Sequence, residues 1–138
     1  MKKVLFMILL FIGAASMITS CKKEDKKQKV MNLLISSKWF YNSYYAAEVP
    51  SDTSDCFGDE DFFECKSNGT ISDDENFIDE GSTFTLSEDA KTITVTEPDE
   101  TYTITLISID ETTLKFQRML EGMVYEFILT KTAYDCDR

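Results

Sequence analysis

From Ser36 onward, apolar and polar side chains alternate with a period of two, the signature of strands with one face buried and one in water. In Thr92-Ile93-Thr94-Val95-Thr96 the threonines take one face and the aliphatics the other, and all five are β-branched, which suits a pleated surface. Thr83 to Leu86, Thr101 to Leu106, Thr113 to Gln117 and Tyr125 to Leu129 repeat the pattern. Between the runs lie Ser67-Asn68-Gly69, Ser87 to Ala90, Glu97-Pro98-Asp99-Glu100, Asp110-Glu111 and Glu121-Gly122, polar breaks of hairpin length. The spacing predicts strands over 37–45, 60–66, 70–72, 82–87, 91–96, 101–108, 113–119 and 123–131. An open meander of that length would leave two unpaired edges, and closure removes both. The expected fold class is therefore all-β: an eight-stranded antiparallel up-and-down barrel, with a short helix-like segment from Val30 to Ile35 ahead of it.

Parity then gives the barrel interior: Trp39, Tyr41, Phe63, Cys65, Phe84, Leu86, Ile93, Val95, Tyr102, Ile104, Leu106, Leu114, Phe116, Tyr125, Phe127 and Leu129. Eight strands enclose a space that side chains can fill or that can hold one small ligand. So many large residues favour a filled interior; a ligand cavity is the alternative. Arg118 shares the inward parity near the mouth. It is placed either to anchor a carboxylate bidentately or to pair with a loop acid.

The N-terminus has a different pattern. Lys2 and Lys3 precede an uncharged apolar stretch from Val4 to Ile12, and Gly13, Ser16, Thr19 and Ser20 dilute its second half. A permanent span needs about 20 apolar residues, so this stretch suits a cleavable signal. Ile18-Thr19-Ser20-Cys21 resembles the lipobox of bacterial lipoproteins, which implies that residues 1–20 are a signal peptide and that Cys21 is acylated. Residues 22 to 29 carry no apolar side chain and, with Cys21, read as a flexible tether over 21–29. The folded domain is expected over 30–138.

Charge narrows the function classes. The chain of 138 residues has a net charge of −11, and removing residues 1–20 takes away two lysines, leaving 12 − 25 = −13. So acidic a surface repels phosphate backbones, which argues against nucleic acid as a partner. The acids cluster at Asp52, Asp55, Asp59, Glu60 and Asp61, and again at Asp73, Asp74, Glu75, Asp79 and Glu80. Neither cluster has the alternating spacing of a calcium loop. Both read as solvated loops, and no metal or cofactor is expected. With no histidine in the chain, the commonest general base and zinc ligand are absent. No phosphate-binding glycine loop occurs either. No enzyme activity and no catalytic residue are expected.

The order of features along the chain carries a family resemblance. Ser37-Lys38-Trp39 resembles the Gly-x-Trp opening of the first lipocalin strand, with serine in place of glycine. Cys56 followed by Asp59 and Glu60, the aromatic strand from Phe62 to Thr70, Gly81 to Leu86 and Thr92 to Thr96 are similar in order to the lipocalin-like domains common in Bacteroidetes lipoproteins. The resemblance spans about residues 36 to 131. It implies a lipocalin-like barrel in which Lys131 covers Trp39 at the closed end. An aromatic core residue is implied where this chain has Cys65. Lys23-Glu24-Asp25 resembles a short surface-export signal, and Lys22 favours the outer membrane, on either its periplasmic or its cell-surface face.

With Cys21 acylated, Cys56, Cys65 and Cys136 remain. Cys65 is expected as a buried free thiol, and Cys56 with Cys136 is the remaining pairing. A meander sets those two at opposite ends, so the first loop would have to run along the barrel. Two function classes stay open. In one, a small apolar or amphipathic ligand sits in the mouth against Tyr41, Phe116, Arg118 and Tyr125. In the other, the barrel is a scaffold whose acidic loops, 46–61 and 73–81, meet a protein or glycan. In both, the membrane is a partner through the lipid on Cys21.

Overall fold

The computed structural model describes residues 25–47, 55–56, 61–74 and 77–133; for 55–56 it describes the backbone alone. One helix, α1 (Lys26–Leu34), precedes nine strands: β1 (Trp39–Ala46), β2 (Asp55–Cys56), β3 (Phe62–Cys65), β4 (Ile71–Asp73), β5 (Thr83–Leu86), β6 (Thr92–Thr96), β7 (Thr101–Ile109), β8 (Thr113–Leu120) and β9 (Met123–Thr130). The strands pair antiparallel in the order β4-β3-β1-β9-β8-β7-β6-β5, with β2 attached only to β1. The first and last long strands are thus neighbours. The ring closes between β4 and β5 by a single bridge, Thr70 to Thr83, supported by the N–H of Ile71 donating to the Ser82 carbonyl at 3.0 Å and that of Phe84 to Gly69 at 2.9 Å. The result is an all-β, nearly closed eight-stranded up-and-down barrel with a short N-terminal helix, as the alternation predicts.

Turn chemistry sets the register. At the β8–β9 hairpin, Leu120 faces Met123, and the two intervening residues, Glu121 and Gly122, have φ of 50° and 82°. That is the doubly positive turn whose twist matches the flanking strands, and glycine takes the second position without strain. At the β7–β8 turn, Asp110 Oδ1 accepts the N–H of Thr112 at 2.8 Å and of Thr113 at 2.9 Å, and these bonds hold its carboxyl below the usual range. The acid at this break is a structural part of the turn.

The strand faces agree with the predicted parity. Trp39, Phe63, Cys65, Ile93, Val95, Ile104, Leu114 and Leu129 are buried, as are Tyr41, Phe84, Leu86, Leu106, Phe116 and Phe127. Tyr102 and Tyr125, also assigned inward, are only partly buried and pack against the core from its margin. Cys65 is a free thiol in this core, and burial pushes it well above the usual thiol range.

Strand ends shift by one or two residues from the sequence reading, and two differences go further. The helix begins at Lys26, not Val30, so the last four residues assigned to the flexible tether are helical. Val30 and Leu34, one turn apart, bury against the barrel and propagate the helix back through residues with no apolar face of their own. The long connection between β1 and β3 contains an additional two-residue strand, β2, in which Cys56 pairs with Ser43 and Asp55 with Tyr44. Alternation cannot signal a strand that short.

The helix closes one end of the barrel. Its last carbonyl, on Leu34, accepts the buried indole N–H of Trp39 at 3.2 Å, and Lys27 pairs with Glu88 in the β5–β6 turn. From the other side the ammonium of Lys131 lies 5.1 Å from the Trp39 ring centroid, within reach of the indole's negative face.

Candidate functional site

The end opposite α1 carries the mouth, formed where β1, β4, β6 and β8 finish. The connection from β4 to β5 folds inward there. Ile78 is 5% exposed and packs in the core, with Phe77 partly buried beside it. The Phe77 ring meets Tyr41 edge-on at 6.4 Å and Phe127 edge-on at 6.4 Å. Behind it, Phe127 stacks on Phe116 at 5.1 Å and Phe116 packs on Phe63 at 5.4 Å. The loop therefore fills the mouth with its own side chains.

Beneath that plug lies a void of about 10 Å³, lined by Tyr41, Phe63, Phe77, Ile78, Ile104, Phe116, Arg118 and Phe127. This is about the threshold for one water molecule. The barrel is filled there, and larger concavities are surface grooves, such as that between α1 and the end of β7.

Arg118 joins the plug to the barrel wall. Its Nη1 donates to the Phe77 carbonyl at 2.7 Å, its guanidinium lies 3.9 Å over the Tyr102 ring, and its Nε is buried with no hydrogen-bond partner. It forms no ion pair among the described residues. Neither sequence reading of this side chain anticipated a backbone carbonyl as its partner. Tyr102 is held in turn by a 2.8 Å hydrogen bond from its hydroxyl to Glu97, and burial together with that bond outweighs the pull of Arg118, so its phenol titrates well above the usual range.

Asp73, at the end of β4, accepts the Ile78 N–H at 3.3 Å through Oδ1, while its Oδ2 is buried without a partner. Burial raises its carboxyl to about 6, against the lowering effects of the Ile78 N–H and of Arg118. Its folded value lies above the unfolded 3.8, so the protonated form suits the fold better. Whatever stability this group adds is complete below about pH 4 and is lost as the pH rises through about 6. Asp73→Asn keeps the acceptor for Ile78 and removes the charge. Discounted for solvent screening of a partly exposed group, it is expected to raise stability at pH 7.5 by about 1 kcal/mol and to change little at pH 3.5. Urea unfolding at the two pH values checks this; an equal gain at both would reject the electrostatic cause.

Of the residues expected at the mouth, Tyr41, Phe116 and Arg118 come together around the void. Tyr125 does not border it; its ring packs on Tyr44 at 6.1 Å, higher on the wall. Phe77 and Ile78, which complete the site, lie in an irregular loop where no periodicity marks them. Several mouth acids have structural tasks: Asp74 accepts the Phe62 N–H at 2.5 Å, and Glu97 accepts the Asp79 N–H at 3.3 Å. Glu48, Asp52, Asp59, Glu60 and Glu75, Cys21, the side chains of Asp55 and Cys56, and Cys136 lie outside the described residues, and the Cys56–Cys136 pairing with them.

Compared with models of known protein families, the chain matches none, and no curated protein is similar to it.

Proposed function

We propose that this chain is a lipid-anchored protein of the bacterial outer membrane, lipocalin-like in design, whose filled barrel is a scaffold and whose acidic mouth end meets a protein or glycan partner. The observation that carries this reading is the filled interior: a void of about 10 Å³ takes no ligand larger than water. Charge segregation supports it. Among the described residues, the connections at the mouth and the end of β4 carry Asp61, Asp73, Asp74, Asp79, Glu80, Glu97, Asp99, Glu100 and Glu121 and no lysine. Lys26, Lys27, Lys29, Lys38, Lys66, Lys91 and Lys131 lie on α1 or at the strand ends on its side, together with Asp25, Glu64, Glu88, Asp89, Asp110 and Glu111.

Helix α1 and the mouth lie at opposite ends of the barrel. From Cys21 to Asp25 an extended chain reaches about 14 Å, so acylation at Cys21 would hold the α1 end near the bilayer and turn the acidic end outward. A negative rim of this kind speeds encounter with a cationic surface and repels other anionic ones. Charge reversal of Asp79, Glu80, Asp99 and Glu100 to lysine is expected to remove the partner captured by cross-linking in intact cells, whereas reversal of Glu88 and Glu111 leaves it in place. Cross-links that survive reversal at the mouth would overturn the reading.

A second reading, in which the mouth takes a small amphipathic ligand, is favoured by one observation: the guanidinium of Arg118 is aimed at the void with its Nε unpaired. Native mass spectrometry of the purified chain separates the two. A co-purified small molecule supports the second, and a bare polypeptide supports the first.

A further inference from the structure

We infer that the mouth is a carboxylate site occupied by the protein's own loop, and that the ligand able to displace that loop is an aryl-substituted carboxylate. The inference rests on the small-ligand reading of the mouth and gives it a ligand class. What the loop inserts is an oxygen and an aromatic ring: the Phe77 carbonyl on Arg118 Nη1 at 2.7 Å, and the Phe77 ring held edge-on by Tyr41 and Phe127. The plug is a surrogate for a molecule carrying both groups.

As a partner for Arg118 the plug is incomplete. A guanidinium presents a fork of donors matched to two oxygens, and a neutral carbonyl supplies one. Here the Phe77 carbonyl takes Nη1 alone, and Nε, on the other edge of the guanidinium, is buried and unpaired. A carboxylate on the Nη1–Nη2 edge engages two donors through its two oxygens and adds a full opposite charge, where the carbonyl engages Nη1 alone. The loop's other ties are longer, since the Ile78 N–H reaches Asp73 and the Asp79 N–H reaches Glu97, both at 3.3 Å. Displacing Phe77 and Ile78 would open a socket floored by Phe63 and Phe116 and walled by Tyr41 and Phe127. An aryl group replaces the lost ring contacts; a bare alkyl chain does not reproduce their edge-to-face geometry. Asp73, whose charge acts on both Arg118 and Tyr41, opposes an incoming anion.

The probe is 3-phenylpropanoate, with 3-phenylpropanamide as its neutral counterpart and decanoate as an alkyl carboxylate, titrated calorimetrically into the full chain. Phe77→Ala is expected to bind phenylpropanoate at least tenfold more tightly than the unaltered protein, because the ring no longer competes and the carbonyl at position 77, which remains, loses the contacts that hold it in the mouth. In that background Arg118→Lys weakens binding at least tenfold, Asp73→Asn strengthens it severalfold, and the amide binds at least tenfold more weakly than the acid. Phe77→Leu, which keeps the apolar volume but not the ring, gives a smaller gain in the same direction and serves if Phe77→Ala loses its fold by circular dichroism. A folded Phe77 variant that binds acid and amide equally overturns the carboxylate site. One that takes decanoate but not phenylpropanoate overturns the aryl class while sparing the ligand reading. Binding of neither overturns both.

Discussion

Trp39→Ala is expected to destabilise the barrel by about 3–5 kcal/mol, a large part of the roughly 5–15 kcal/mol that holds a typical domain folded. The indole is fully buried where α1, β1 and Lys131 meet. Its removal leaves a cavity among groups that cannot collapse onto it and an unpaired Leu34 carbonyl. Because the helix docks through that carbonyl, unfolding should begin with α1 detaching from the closed end. Thermal unfolding monitored by circular dichroism tests the magnitude, with a fall in Tm of about 15 °C or more expected. Trp39→Phe, which retains most of the apolar volume and loses only the N–H, should cost about 1–2 kcal/mol. Equal losses for the two variants would mean that the hydrogen bond, and not the packing, holds the end closed.

Cys21→Ser is expected to move the protein from the membrane fraction into the soluble one almost completely. Each buried methylene of an acyl chain contributes about 0.8 kcal/mol, so two or more chains hold a protein on a bilayer without help from the polypeptide. Among the described residues no helix is long and apolar enough to cross a membrane. α1 presents lysines on its exposed side and buries Val30 and Leu34 against the barrel, which leaves it little apolar surface for a competing anchor. Fractionation of cells expressing each form, with immunoblotting of the fractions, reads the result; continued sedimentation of the serine variant with membranes would reject acylation as the tether. The variant is expected to unfold at the same temperature as the unaltered chain, because the site of attachment is separated from the core by the residues preceding α1.

The strands were legible because burial on one face leaves a period of two in the residues themselves. β6 and β7 show this most clearly: Thr92 to Thr96 and Thr101 to Thr105 place every threonine outward, and the register pairs Thr94 with Thr103 and Ile93 with Ile104. The hairpin breaks were legible for a related reason, since only certain residues tolerate the turn geometry, as Gly122 does with φ of 82°. The start of α1 was not. Lys26 to Lys29 have no amphipathic pattern, and the helix extends through them because Val30 and Leu34 are anchored on the barrel and elongation costs less than nucleation.

The mouth was half legible. Arg118 stood out as a charged residue at inward parity, and Tyr41 and Phe116 were placed beside it. Its partner could not be read, because Phe77 and Ile78 belong to an irregular loop and a backbone carbonyl leaves no mark in a sequence. Alternation by itself determined which side chains face inward, because a strand has two faces and water tolerates only one of these; closure followed from the need to cover two edges, and the Thr70–Thr83 bridge supplies it. Whether the enclosed space stays open depends on volumes summed across strands and on where one loop comes to rest. That was decided only when Phe77 and Ile78 turned into the mouth and left about 10 Å³ unfilled.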